Sequence, residues 1–267
     1  CPDFKCHGLL WVDLSHRPKI TSEEVATIIN ILSHTGLILE TFEIQNTLQQ
    51  TNEELAKVNL ELEDNQKRAQ EELKRAQKIQ KGLLPQKFPN GFLLDHHAFY
   101  ASNDQIGGDY YDCFAIDRTH LGIVIADVSG HGVSAGLFMS MFKVLLKTHA
   151  GPELEPFNIL QKINTSLLLE TNSEHFVTTF FAIFNKESRE LKYSNAGHVP
   201  IFILANGDIS PLSSNGIFVG AIDEMSGGSE STYLPTNSRM FLYTDGLSEC
   251  LNPKGQQFSS EQIAKHL

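Results

Sequence analysis

The chain has 267 residues, enough for one large domain or one domain with a substantial accessory segment, and enough to build a core without a disulfide or a metal. With 41% hydrophobic residues and a mean hydropathy of −0.18, the composition is that of a soluble globular protein. A formal charge of −11, from 21 Lys+Arg against 32 Asp+Glu, argues against nucleic acid or an anionic membrane as a partner, because both are polyanions.

No stretch approaches 18 consecutive apolar residues, and the N-terminus lacks a basic-then-apolar leader, so the expectation is a cytoplasmic chain with no membrane span. The four cysteines, Cys1, Cys6, Cys113 and Cys250, do not form a disulfide framework. Cys1, Cys6 and His7 lie close together but lack the second ligand pair of a structural zinc site.

In chain order, residues 8–12 read as a strand and residues 25–39 as an amphipathic helix. Thr21 is the helix N-cap, with Glu24 completing a capping box. Residues 1–36 hold too little to bury a core alone, so they read as the end of a domain that begins earlier. They resemble the last strand and exit helix of a GAF-type sensor domain.

Residues 37–84 contain no Pro and are rich in Glu, Gln, Lys, Leu and Ala. Leu48, Leu55, Leu62, Ala69, Ala76 and Leu83 recur every seventh residue, while Thr51, Val58, Asn65, Glu72 and Ile79 fill the d positions. A helix of this length leaves its apolar stripe exposed unless it has a partner, so a parallel homodimeric coiled coil is expected, weakest in its second half.

From Pro85 the texture changes to short β runs with turn signals. Strands are predicted at residues 92–100, 110–116, 121–127, 176–184, 190–195, 200–204 and 239–243. Helices are predicted at 134–149, 156–170 and 259–267, and residues 205–208 read as a loop. The fold class is α+β, a β-sandwich flanked by helices. The domain plan is a sensor end at 1–36, a coiled-coil linker at 37–84 and a globular domain at 85–267, expected to be incomplete at its C-terminus.

Three acidic elements beside glycine stand at strand ends: Gly107-Gly-Asp-Tyr-Tyr-Asp112, Ala126-Asp-Val-Ser-Gly-His-Gly132 and Tyr243-Thr-Asp-Gly246. An ionised carboxylate taken out of water must be paired or bound to metal, and none of these motifs carries Lys or Arg. Oxygen-only ligands favour hard divalent ions such as Mg²⁺ or Mn²⁺. Gly130 and Gly132 suit positive φ and close approach of a ligand.

Those motifs, with Gln77-Lys-Ile-Gln-Lys-Gly-Leu-Leu-Pro-Gln86, Asn195-Ala-Gly-His198 and Tyr243-Thr-Asp-Gly-Leu-Ser-Glu249, resemble the RsbU/SpoIIE-type serine phosphatases, a branch of the metal-dependent type 2C-like (PPM) protein phosphatases. The resemblance implies two Mn²⁺ or Mg²⁺ ions at one end of the sandwich, with Asp127 bridging them and Asp109, the Val128 carbonyl and Asp245 completing the ligands. It implies hydrolysis of phosphoserine on a STAS-like (anti-anti-sigma) protein by a water acidified by the ions, with no covalent enzyme intermediate. Sensor control would pass through the coiled coil near residues 79–85.

Asp112 is a candidate for an outer ligand or for a residue that supports the ligands from behind. His131 is a candidate proton donor to the leaving oxygen, and His198 a loop-ordering residue. Members of this family end in a further strand with an acidic pair, whereas this chain ends in a helix, so a longer protein is expected. The alternative is an inactive dimeric scaffold.

Overall fold

The structure is a computed structural model that describes residues 21–267, apart from 93, 103–104, 154 and 172–174. It begins with α1, Ser22–Leu83, a single helix of 62 residues. Thr21 caps it as expected: its N–H donates to the Glu24 carboxylate at 3.0 Å, and Glu24 N–H donates to the Thr21 hydroxyl at 3.4 Å. The strand predicted at residues 8–12 and the Cys1, Cys6 and His7 group lie outside the described residues. No break separates the predicted exit helix from the linker, because no Pro interrupts residues 22–83.

One feature of this helix bears on the expectation of no membrane span. An 18-residue window of α1 has mean hydropathy 1.4 and no buried residue, so by length and composition this helix is apolar enough to cross a membrane. Isolated polar residues break the apolar run without pulling its mean down.

The chain divides into two units, Cys1–Gln70 and Glu71–Leu267. In the first, Leu48, Leu55 and Leu62 of the heptad are each more than half exposed. In the second, the last turns of α1 depart from the heptad expectation. Ala76 and Leu83 are half-buried and Gln80 is buried, while Ile79 at a d position is 70% exposed.

The rest of the second unit holds two antiparallel sheets. One is formed by β1 (Tyr110–Ala115), β2 (His120–Val128), β3 (Val177–Asn185), β4 (Glu190–Ala196) and β7 (Glu230–Tyr233), in the order β1-β2-β3-β4-β7. The other is formed by β5 (Ile201–Ala205), β6 (Asp208–Leu212) and β8 (Arg239–Phe241), in the order β6-β5-β8. Successive side chains of β3 separate two cores, as strand alternation requires. Phe181 packs with Val124, Val128 and the helices α2 (Val133–His149) and α3 (Pro156–Glu170) through Phe138, Phe142, Ile159 and Ile163.

Phe180 points the other way and packs with Leu121, Leu191, Ile201, Ile203 and Leu212 between the sheets. Beyond the second sheet, Ile263 of α5 (Ser260–His266) packs on Phe202 and Tyr243. The layers are helices, sheet, sheet and helix, as the predicted α+β sandwich requires.

Two details differ from the sequence reading. The described residues of 92–100 form no strand: Phe92 is buried under the inter-sheet core, but Phe99 is 92% exposed, and no ladder bond ties a described residue of the segment. The predicted loop at 205–208 is a two-residue hairpin turn, with Asn206 and Gly207 at φ 54° and 88°, the geometry that suits the twist of β5 and β6.

Candidate active site

The ladder brings the acidic motifs to one end of the sandwich. Tyr110 of β1 pairs with Ala126 of β2, so Asp109, one residue before β1, comes beside Asp127. Their carboxyl groups are close enough that each shifts the ionisation of the other. Beyond β8 the chain reaches Thr244, whose hydroxyl donates to Asp109 Oδ2 at 3.3 Å, and Asp245, which opens the short helix α4 (Asp245–Ser248).

Burial holds Asp127 above the ordinary carboxylate range, and the charges of Asp109, Asp245 and Glu249 push it further up. Burial also raises Asp109; the Thr244 hydrogen bond opposes this, and the Asp245 charge adds to it. Burial and the same Asp109 charge raise the phenol of Tyr100.

Among the described residues, no Lys or Arg forms an ion pair with Asp109, Asp127, Asp245 or Glu249. Nor do any three His, Cys, Asp or Glu side chains there stand close enough to enclose an ion by themselves. The donor set is all oxygen, uncompensated and open. That fits a hard divalent cation that keeps part of its water shell, with Asp109 and Asp127 at the centre, the Val128 carbonyl available beside them, and Asp245 within charge range.

Gly107 and Gly108 make the close approach possible. A Cβ on Gly108 would lie 2.7 Å from the Val128 carbonyl oxygen, and one on Gly107 would lie 2.7 Å from the Ser102 hydroxyl and 2.9 Å from that of Tyr100. At Gly108 the close atom is backbone, so a side chain there would force the Asp109 and Val128 segments apart, whereas at Gly107 the Ser102 and Tyr100 side chains would have to turn aside. After β2, Gly130 and Gly132 both adopt positive φ, so the turn leaves Asp127 and enters α2 within a few residues.

The family model for stage II sporulation protein E (SpoIIE) matches residues 117–267, more than half of the chain. The chain belongs to the SpoIIE family. It is 29% identical over 192 residues to the phosphoserine phosphatase RsbU of Bacillus subtilis, covering 71% of this chain and 57% of RsbU. It is 27% identical over 183 residues to RsbP of the same organism, a protein also named phosphoserine phosphatase, covering 67% of this chain and 45% of RsbP. The chain thus spans about half the length of these curated relatives. The PP2C domain of SiaA from Pseudomonas aeruginosa has the same fold, with a TM-score of 0.67 and 21% identity over 75% of this chain and 81% of that one.

Within this SpoIIE-family domain, Asp112 does not join the cluster. It faces α2, accepting from the Tyr110 hydroxyl at 2.9 Å and the Cys113 N–H at 2.8 Å, and it pairs with Lys147 at 2.7 Å. The cation absent from its own motif arrives from 35 residues further along the chain. The outer-ligand expectation is corrected accordingly: Asp112 ties β1 to α2. Lys147→Met should therefore cost about 2 kcal/mol by denaturant unfolding, less than a fully buried pair because the lysine is half-exposed, and should leave Mn²⁺ affinity unchanged.

His198 is buried, accepts at Nδ1 from the Thr178 hydroxyl at 3.0 Å and donates from Nε2 to the Tyr243 carbonyl at 3.0 Å, which fixes the neutral tautomer. The first contact ties the turn after β4 to β3, and the second ties it to the chain that delivers Thr244 and Asp245. His131 stands exposed in the Gly-rich turn.

Of the groups facing Asp109 or Asp127, sequence reasoning assigned no role to Glu249, Thr244 or Tyr100. Glu249 carried a usable signal: it follows Asp245 by four residues, one helical turn on, and its N–H donates to the Asp245 carbonyl at 2.7 Å.

Proposed function

We propose that this chain is a metal-dependent protein serine phosphatase that dephosphorylates a phosphoserine on a small STAS-like regulatory protein in the cytoplasm. We further propose that a sensor at the N-terminal side controls it through α1, acting in a homodimer. The observation that carries the reading is the uncompensated group of Asp109, Asp127, Asp245 and Glu249 at the rim of the sandwich. Two Mn²⁺ or Mg²⁺ ions held by Asp109, Asp127, the Val128 carbonyl and Asp245 would supply Lewis acidity and an acidified water. The Bacillus relatives named phosphoserine phosphatases support the substrate class.

The dimer rests on the exposed Leu48, Leu55 and Leu62, whose seven-residue spacing suits a second copy of the same helix. The seam ends before Leu73, where the helix begins to bury residues in the second unit. A phosphorylated STAS protein incubated with the chain should release phosphate with Mn²⁺ and none with EDTA. Release that survives EDTA would overturn the assignment. Sedimentation of the same sample should give about twice 29.8 kDa, and a monomer at micromolar concentration would remove the dimer from the proposal.

A further inference from the structure

We propose that Gln80 is a positioning residue through which the end of α1 sets the loop that carries Asp109. This rests on the reading of Asp109 as a metal ligand. Gln80 occupies an e position of the heptad, where a polar side chain is ordinarily solvated, yet it is 7% exposed. Its amide spends its hydrogen bonds on a single backbone residue. Nε2 donates to the Gly107 carbonyl at 2.6 Å, and Oε1 accepts from the Gly107 N–H at 3.1 Å. Only one orientation of the amide satisfies both bonds.

Gly107 stands two residues before Asp109, and the pair of bonds fixes the peptides on both sides of it. The slot that admits Gln80 is made by Gly136 of α2, where a Cβ would fall 2.9 Å from Gln80 Nε2 and 2.4 Å from Ile106 Cγ2. The helix end is held from the same side, because Lys143 of α2 donates to the Leu83 carbonyl and Leu84 is buried in the core beside α2.

A leucine in this slot would bury more apolar surface and leave no polar group to satisfy. What Gln80 adds is a directional grip on Gly107. A rotation or withdrawal of the last turns of α1 breaks both bonds together and frees the Asp109 loop. The linkage runs from α1 through Gln80 and Gly107 to Asp109 and its partner Asp127.

The test is a calorimetric titration of Mn²⁺ into the full chain, with turnover measured at saturating Mn²⁺ and hydrogen exchange read at the Gly107 amide. Gln80→Met should weaken Mn²⁺ binding by roughly 10- to 100-fold, the range set by losing a group that orients a ligand. It should also speed exchange at Gly107, and turnover should recover to within a few-fold once Mn²⁺ saturates. Gln80→Glu, which keeps the acceptor and loses the donor, should fall between wild type and Gln80→Met and serves where the methionine variant does not fold.

Wild-type Mn²⁺ affinity in a folded Gln80 variant, with only a lowered melting temperature, would overturn the positioning role and leave the phosphatase reading standing. A wild-type chain that takes up no Mn²⁺ would overturn the site reading and the positioning role with it.

Discussion

Asp127→Asn should abolish metal-dependent phosphate release, by roughly 10³-fold or more, while making the metal-free protein harder to unfold. The loss follows from the role proposed for Asp127, a metal ligand at the centre of the carboxylate group beside Asp109 and Asp245. The gain follows from charge. In the folded chain the Asp127 carboxyl titrates above its unfolded value, because burial and then Asp109, Asp245 and Glu249 oppose its ionisation. A group with a raised folded pKa costs stability as pH climbs from the ordinary carboxylate range, and asparagine carries no such cost.

Discounted for its partial exposure, the effect at neutral pH is about 2 kcal/mol in favour of the variant, shrinking to nothing in acid. Mn²⁺ should reverse the order, stabilising wild type and not Asp127→Asn. Denaturant titrations of both chains, with and without Mn²⁺, read all four values. A variant less stable than wild type in the absence of metal would contradict the electrostatic account.

The second large effect is a pH dependence set by His198. Burial depresses its pKa to about 4, partly opposed by the bond to the Tyr243 carbonyl. The neutral ring therefore contributes full stability above its unfolded pKa, near 6.5. That contribution falls as pH drops from about 6.5 to about 4, where the folded protein also takes up the proton. The expected loss across this window is about 3 kcal/mol.

Unfolding free energies of wild type and His198→Gln, measured from pH 7 to pH 4, should converge by that amount as acid is added, because glutamine has nothing to titrate. A constant difference would remove His198 as the source. At pH 7 the variant should also turn over more slowly, since the bond to the Tyr243 carbonyl, with the ring anchored on Thr178 of β3, holds the chain that presents Asp245.

The central strands and the three acidic turns were legible because their signals are local. Apolar runs such as residues 121–128 end in Asp and Gly, and strand ends are where backbone and side chains both face outward. Two of the four edge strands, β6 and β7, were not legible. β6 contains Pro211, which only an edge strand tolerates, and β7 is four mostly exposed residues that register through contacts such as Tyr193 to Glu230. Residues 92–100 have the composition of a strand, yet composition does not say whether a neighbour exists to pair with.

The same limit governs the site. The glycine beside each acid was visible, but the lysine that neutralises Asp112, the histidine bonds that aim Asp245 and the glutamine that grips Gly107 all come from distant parts of the chain. Charge partners of that kind emerge only from the folded topology. A carboxylate without a cation in its own motif can be a metal ligand, as proposed for Asp127, or half of an ion pair, as found for Asp112.

The spread of the carboxylates along the chain bears on how the domain is born and how long it lasts. Asp109 precedes the first strand, Asp127 ends the second, and Asp245 comes after the last, with the helical pair α2–α3 and six further strands in between. The β1–β2 hairpin can set Asp109 beside Asp127 early, but Asp245 arrives only with the finished sandwich, so a cation meets its full set of groups late. It would act as a bolt on the finished structure, leaving the speed of assembly untouched and lengthening the time before the sandwich opens.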